Sequence, residues 1–197
     1  MKIRFWSLTI LLLTLCAAIT AFAQEMQFQL DPAQSKVEFT LDATLHGVHG
    51  SFDLRPSTIY FNPQAGTASG DFVVDATSGN SGNKGRDKKM HKEILESAKF
   101  PEIRFSVQKF HGILAANGTS QIELVGVMTL HGSDHPMTVT APIKIENGRA
   151  SADIPFEVPY VQWGVKNPST FLLRVSDKVT IVVHATGAIS VTTTNPK

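Results

Sequence analysis

Met137-Thr138-Val139-Thr140-Ala141-Pro142-Ile143-Lys144-Ile145-Glu146-Asn147-Gly148-Arg149-Ala150 is the stretch on which the reading of the fold turns. Met137, Val139, Ala141, Ile143 and Ile145 alternate with Thr138, Thr140, Lys144 and Glu146. Successive side chains of a strand point to opposite faces, so this period of two describes a strand with one apolar and one wet face. Asn147-Gly148 then supplies two residues that tolerate positive φ, as a two-residue hairpin turn requires. One dry and one wet face per strand is the pattern of an antiparallel sheet.

The same alternation extends in both directions. Val37, Phe39 and Leu41 alternate with Lys36, Glu38, Thr40 and Asp42, and Ile103, Phe105 and Val107 with Arg104, Ser106 and Gln108. Val179, Ile181, Val183 and Ala185 alternate with Lys178, Thr180 and His184, with Val182 out of phase. Weaker runs cover 57–62, 67–76, 121–130 and 150–158, and turn residues such as Asn62-Pro63 and Asn117-Gly118 separate them. About eight strands in consecutive hairpins form either a barrel or a sandwich, and alternation alone leaves both open. One segment departs from the pattern. Ser78–Gly85 (SGNSGNKG) reads as a flexible loop, and Arg86–Ala98 as an amphipathic helix with Met90, Ile94, Leu95 and Ala98 on one face, stopped by Pro101. Its apolar face requires cover, and the mouth of a barrel would supply it.

The 197 residues suit one domain, and 18 Lys and Arg against 17 Asp and Glu give no global attraction to nucleic acid. Lys2 and Arg4, the apolar run Phe5–Ile19 and Ala21-Phe22-Ala23 describe a cleaved secretory leader over residues 1–23. The apolar run is shorter than the ~20 residues that span a bilayer, so no stable membrane span is expected after cleavage. Leu15 before Cys16 argues against lipoprotein processing there. The mature domain, 24–197, then has no cysteine and carries sixteen basic against seventeen acidic residues. Neither a disulfide framework nor a Cys-based zinc site is open to it.

Catalytic signatures are not found: the mature chain has no G-x-S-x-G, no H-E-x-x-H and no thiol. The loop at Gly79, Gly82 and Gly85 lacks the Gly-Lys-Ser/Thr ending of a phosphate-binding loop. Among the seven histidines, His131 and His135 flank Gly132-Ser133-Asp134, read as a turn; with Asp134 they make a ligand set for an alternative reading as a metal-binding protein. Lys84, Arg86, Lys88, Lys89 and Lys92 read as a solvated helix face or as a charged rim over an apolar cavity. Arg86 is the best candidate for an anionic head group, because guanidinium matches such groups bidentately. Trp163 is a core anchor or a cavity wall.

Taken together these motifs resemble the YceI-like family. The resemblance begins with Phe28-Gln29-Leu30-Asp31-Pro32-Ala33-Gln34-Ser35-Lys36-Val37-Glu38-Phe39 and continues through Gly50-Ser51-Phe52-Asp53 and Arg86-Asp87. Phe100-Pro101-Glu102-Ile103-Arg104-Phe105 is similar to the family's FP-x-I-x-F signature, and Leu124–Gly132 with Pro136-Met137 to its hairpin. The strand Val179–Val191 completes a match over about residues 27–190. The segment 96–99 is briefer than in many relatives, and 162–168 resembles one branch of the family. The resemblance implies an extended eight-stranded antiparallel lipocalin-like barrel with the short helix near its mouth. It implies a bacterial periplasmic or secreted protein, often a homodimer, that binds, transports or stores a polyisoprenoid or similar amphiphile, with that lipid as its ligand and no other cofactor. No catalysis is implied. Alternation and resemblance together nominate Val37, Phe39, Leu41, Ile103, Phe105, Val107, Met137, Val139, Ile181 and Val183 as the inward, ligand-binding set. Met90, Ile94 and Leu95 would cap the mouth, Arg86 and His91 would stand near the head group, and Trp163 would join the wall.

Overall fold

The computed structural model describes residues 23–44, 46–170 and 174–194; residues 1–22 of the expected leader lie outside them. Ten strand segments run β1 (Ala23–Leu30), β2 (Lys36–Leu41), β3 (Val48–Phe52), β4 (Thr58–Asn62), β5 (Thr67–Asp75), β6 (Glu102–His111), β7 (Gly118–Leu130), β8 (Ser133–Glu146), β9 (Arg149–Val158) and β10 (Val179–Thr194). Among the described residues one α-helix, α1 (Lys84–Lys89), continues into a wide π-type turn over Met90–Ile94.

All pairings are antiparallel, in the order β1-β4-β5-β6-β7-β8-β9-β10, and β10 returns to β1. β10 also pairs β2 through Thr180–His184, below its pairing with β1 through Gly187–Thr194. β1 and β2 are therefore two halves of one stave. β3 and β4 are likewise two halves of the next, pairing β2 and β1 respectively. Ten segments make eight staves, and the sheet is a closed barrel.

Proline causes both breaks. Pro32 has no N–H for the ladder, and the chain at Pro32–Gln34 winds into one 3-10 turn capped by the Asp31 carboxylate. The Thr186 carbonyl keeps a ladder bond from Asp31 N–H (2.8 Å), and the Ser35 hydroxyl bridges the break, donating to that carbonyl (3.1 Å) and accepting from the Thr186 N–H (3.0 Å). Pro56 interrupts the neighbouring stave, where Arg55 N–H turns to the Val73 carbonyl (2.8 Å) and Leu30 N–H to Ser57 (2.9 Å).

The expected hairpin at Asn147-Gly148 is present, with φ of 51° and 73° between paired Glu146 and Arg149. The turn between β7 and β8 differs from its reading. It consists of His131-Gly132 alone (φ 52° and 77°), and Ser133 and Asp134 already belong to β8. Two segments lie outside the alternating runs read from the sequence. β3 has only Val48 and Phe52 as large apolar residues, whereas in β1 Met26, Phe28 and Leu30 do alternate with Gln27 and Gln29, a signal the sequence carries. The helix begins at Lys84 and ends before Glu96, whose left-handed φ of 45° stops it five residues ahead of Pro101.

Outward side chains of β6 form an ion-pair ladder. Glu102 takes Arg55 (2.5 Å) and Arg104 (2.7 Å), and Arg104 reaches Asp71 (2.7 Å), which also accepts from Ser106 (2.6 Å). Inward, the end of the barrel away from α1 is filled: Met26, Phe28, Ile59, Phe61, Phe110, Ile122 and Ile145 are buried, with Phe61 and Phe110 edge to face at 5.5 Å. β1 approaches β10 so closely that a Cβ on Gly187 would lie 2.1 Å from the Gln29 carbonyl oxygen. Gly187→Ala is therefore expected to lower stability by about 1–3 kcal/mol, as overpacking of a filled site does. A urea titration followed by far-UV circular dichroism checks this.

Candidate functional site

The half of the barrel beneath α1 is not filled. A cavity of about 570 Å³ occupies it, walled by Val37, Phe39 and Leu41 of β2, Val74 of β5, Ile103 and Phe105 of β6, Leu124, Met128 and Leu130 of β7, Val139 of β8, Ile154, Phe156 and Val158 of β9 and Val179, Ile181 and Val183 of β10. Along β7 the wall runs from Leu124 to Leu130, about 20 Å of strand. Phe72, Leu124 and Ile154 form the floor, since they also border a void of about 40 Å³ below it. The Phe72 ring is braced there against Phe28 at 6.4 Å.

The mouth is covered by two segments. Residues 78–97 cross it as loop, helix and π turn; the turn is closed by Leu95 N–H to the Met90 carbonyl (2.8 Å). Its extra residue helps bring Met90, Ile94 and Leu95 together on the cavity side. The glycine-rich loop, read from composition as flexible, is pinned at several points. Asn80 and Ser51 exchange two backbone hydrogen bonds (2.9 and 3.0 Å), and the Ser78 hydroxyl accepts from Asp53 N–H (2.8 Å). Ser81 donates to the Asp87 carboxylate (2.5 Å) and accepts from Arg86 Nε (2.7 Å). The Ser81 hydroxyl beside Asp87 holds that carboxyl below the usual range, with Arg86 adding to the effect. The second cover is the segment after β9, which contributes Tyr160, Val165, Pro168 and Val175 to the wall.

Twelve of the sixteen nominated residues line this cavity: Val37, Phe39, Leu41, Arg86, Met90, Ile94, Leu95, Ile103, Phe105, Val139, Ile181 and Val183. Four do not. Val107 is buried, but it sits toward the filled end, at the bulge where β6 shifts register between Val107 and Lys109. Met137 packs on the core from the side, opposite Gly126. His91 turns to the loop, with Nε2 2.9 Å from the Gly79 carbonyl and Nδ1 3.1 Å from Ser97 Oγ. A carbonyl can only accept, so Nε2 carries the proton and the ring acts as a latch on the cover. Trp163 stacks flat on His135 at 4.2 Å, away from the cavity.

The wall residues missed by sequence reading include Phe52, Leu54, Phe72, Phe156 and Tyr160. Ile154, Phe156 and Val158 do alternate, and that signal was available. Tyr160 lies in a turn, where period carries no information. The metal alternative is corrected by the geometry: His131 packs on Phe100 (4.4 Å) with Nε2 2.8 Å from Glu96, Asp134 accepts from Thr129 (2.6 Å), and His135 faces Trp163. The three side chains are engaged separately, and among the described residues no group of His, Cys, Asp and Glu converges to hold a metal ion.

The polar groups of the wall are few. Arg86 donates through Nη2 to the Ser81 carbonyl (2.8 Å), and Lys89 reaches the Pro168 carbonyl (3.4 Å). The Tyr160 hydroxyl donates to the Ser176 carbonyl at 2.6 Å. Burial, with the negative charge of Asp177 nearby, pushes this phenol up to about 12. An unfolded tyrosine ionises near 10, so between those values the unfolded chain sheds a proton that the folded one keeps. Stability is therefore expected to fall with rising pH from about 10 toward about 12. Tyr160→Phe should flatten that decline in urea titrations at successive pH values.

A family profile for the YceI-like domain matches residues 28–187. The fold is similar to three solved structures. BcnA of Burkholderia cenocepacia is 17% identical, covering 81% of this chain and 99% of that one, at a TM-score of 0.67. A polyisoprenoid binding domain from Saccharophagus degradans, implicated in plant cell wall breakdown, is 16% identical over 85% and 99% of the two chains, at 0.60. The YceI protein of Campylobacter jejuni is 17% identical over 72% and 84%, at 0.59. A search of curated proteins finds no match. The closed eight-stave barrel, the apolar cavity beneath a helical cover and a profile match spanning most of the chain agree, and the protein belongs to the YceI-like domain family.

Proposed function

We propose that the protein binds a polyisoprenoid or a similar long-chain amphiphile in the barrel, with its tail against the apolar wall and its head at Arg86 and Lys89. The observation that carries this reading is the pairing of a deep, apolar cavity with two cationic side chains confined to its mouth. Family membership and the likeness to a polyisoprenoid binding domain support it. The leader sequence supports a periplasmic or secreted setting, in which such a protein would carry or store its lipid.

Magnitudes say which end of the ligand holds it. Burial yields roughly 0.8 kcal/mol per methylene, so ten carbons contribute about 8 kcal/mol before the cost of association. One charge-assisted hydrogen bond at the head contributes only about 1.5–3 kcal/mol. The tail therefore sets affinity, and the head sets orientation. A role in binding without turnover is supported by the two wall hydroxyls, Ser81 and Tyr160, which are already donated to Asp87 and Ser176.

Mass spectrometry of organic extracts from the native protein is expected to find such a lipid. Phe105→Glu places a charge in the wall and should empty the cavity. A Phe105→Glu protein that is folded by circular dichroism yet keeps its lipid would overturn the assignment. In displacement assays, shortening a prenyl chain by two carbons should weaken binding roughly tenfold, whereas Arg86→Gln should cost about tenfold whatever the chain length.

A further inference from the structure

We propose that the cover of the mouth is a docking surface for an anionic membrane, which the protein meets mouth first. Residues 84–99 carry six Lys and Arg against three Asp and Glu, whereas the rest of 24–197 carries ten against fourteen. The charge is thus polarised: a cationic cover sits on a barrel of net negative charge. Lys84, Lys88 and Lys92 recur every four residues, so they form one stripe along the helix and π turn, and all three are exposed. Gly85, Lys89, Met90 and Ile94 of the same segment face the cavity. The stripe therefore points away from the barrel, at its open end.

The acidic residues of the cover are engaged elsewhere. Asp87 is held by Ser81, Glu93 lies 3.9 Å from Lys166, and Glu96 lies 2.8 Å from His131. The three lysines of the stripe are left to act on what approaches the mouth. A negatively charged bilayer attracts each basic side chain brought near its surface, and it repels the acidic remainder of the barrel, which orients the molecule. A nucleic acid would satisfy the charge but has no use for an apolar cavity beside it. A bilayer explains both, because a tail passing from cavity to membrane under a docked mouth avoids exposing its carbons to water, at roughly 0.8 kcal/mol for each. The link to lipid transfer rests on the reading of the cavity given above; the docking itself does not.

The test is co-sedimentation of the mature protein with vesicles of phosphatidylcholine alone, or of phosphatidylcholine with phosphatidylglycerol, at low salt. Binding is expected only to the anionic vesicles, and it should weaken as salt rises toward ~0.15 M. The triple variant K84Q/K88Q/K92Q should bind about a hundredfold more weakly. K36Q/K109Q/K144Q removes the same charge from outside the cover and should bind as the parent does. Equal loss in the two triples would show a net-charge effect and overturn the proposal. So would equal binding to both vesicle types, no binding to either, or displacement by a single-stranded oligonucleotide that binds as tightly as the vesicles. Lipid content is measured on the same proteins and should be unchanged in both triples. Docking by a protein that contains no lipid would sink the cavity reading and leave the docking surface standing, and the reverse result would do the opposite.

Discussion

Closure of the sheet by β10 is the constraint on which the rest depends. Its sixteen residues pair β9 along one edge and, along the other, β1 and β2 in succession. A sheet edge left open would expose a row of unpaired N–H and C=O groups, whereas a ring has no edge. The price of so long a stave is that its partners must bend to follow it, and Pro32 and Pro56 supply the bends. Ser35 then gives the Thr186 N–H an acceptor at the bend, while the Thr186 carbonyl is shared by Asp31 N–H and the Ser35 hydroxyl. Glycines without room for a Cβ, Gly187 against Gln29 foremost, allow the backbones to meet where the barrel tightens.

Once the ring is closed, each stave turns one face inward along its whole length, and the side chains fill only half of that interior. At one end Phe28, Phe61 and Phe110 occupy the axis, and at the other the side chains leave about 570 Å³ between them. The Phe72–Phe28 contact is the partition. The open half is covered by a segment that brings few polar groups to the wall, Ser81, Arg86 and Lys89 among them. Asn80 and Ser78 tie that cover to the rim, and Ser81, Asp87, Arg86 and His91 brace it internally, leaving Met90, Ile94 and Leu95 to face inward.

The covering segment thus has two unlike faces within one short stretch. Its inner face extends the apolar wall, and its outer face carries the lysines. Such a segment cannot be a stable helix alone, since α1 is only six residues and isolated helices of that length do not persist. Its conformation is held by the barrel beneath, by the Asn83 cap that takes Gly85 and Arg86 N–H, and by the loop bonds around Ser81.

Much of this was legible in the residues. Alternation depends only on neighbours in the chain, so it identified the inward faces of β2, β6, β8 and β10, and Asn147-Gly148 identified a turn whose φ values few other residues adopt. Eight of the twelve nominated positions that line the cavity do so for that reason, and the other four come from the amphipathic pattern and charge of the helical segment. Val107 and Met137 share the inward phase and both pair Gly126, yet neither lines the cavity, because phase gives the face of a strand and not which side chains reach the open space. Turn residues have no period, so nothing in the sequence marks Tyr160 as lining or separates Trp163 as cavity wall from Trp163 as anchor. His91, Asp134 and the paired histidines illustrate a further limit: composition names groups able to coordinate or to bind a head group, while only folding decides which neighbour claims each one first. By itself the sequence determined most of the strands, their dry faces and the interrupting helix. Tertiary structure alone decided where the ring closes and which half of it the side chains leave unfilled, because those outcomes rest on contacts between residues far apart in the chain.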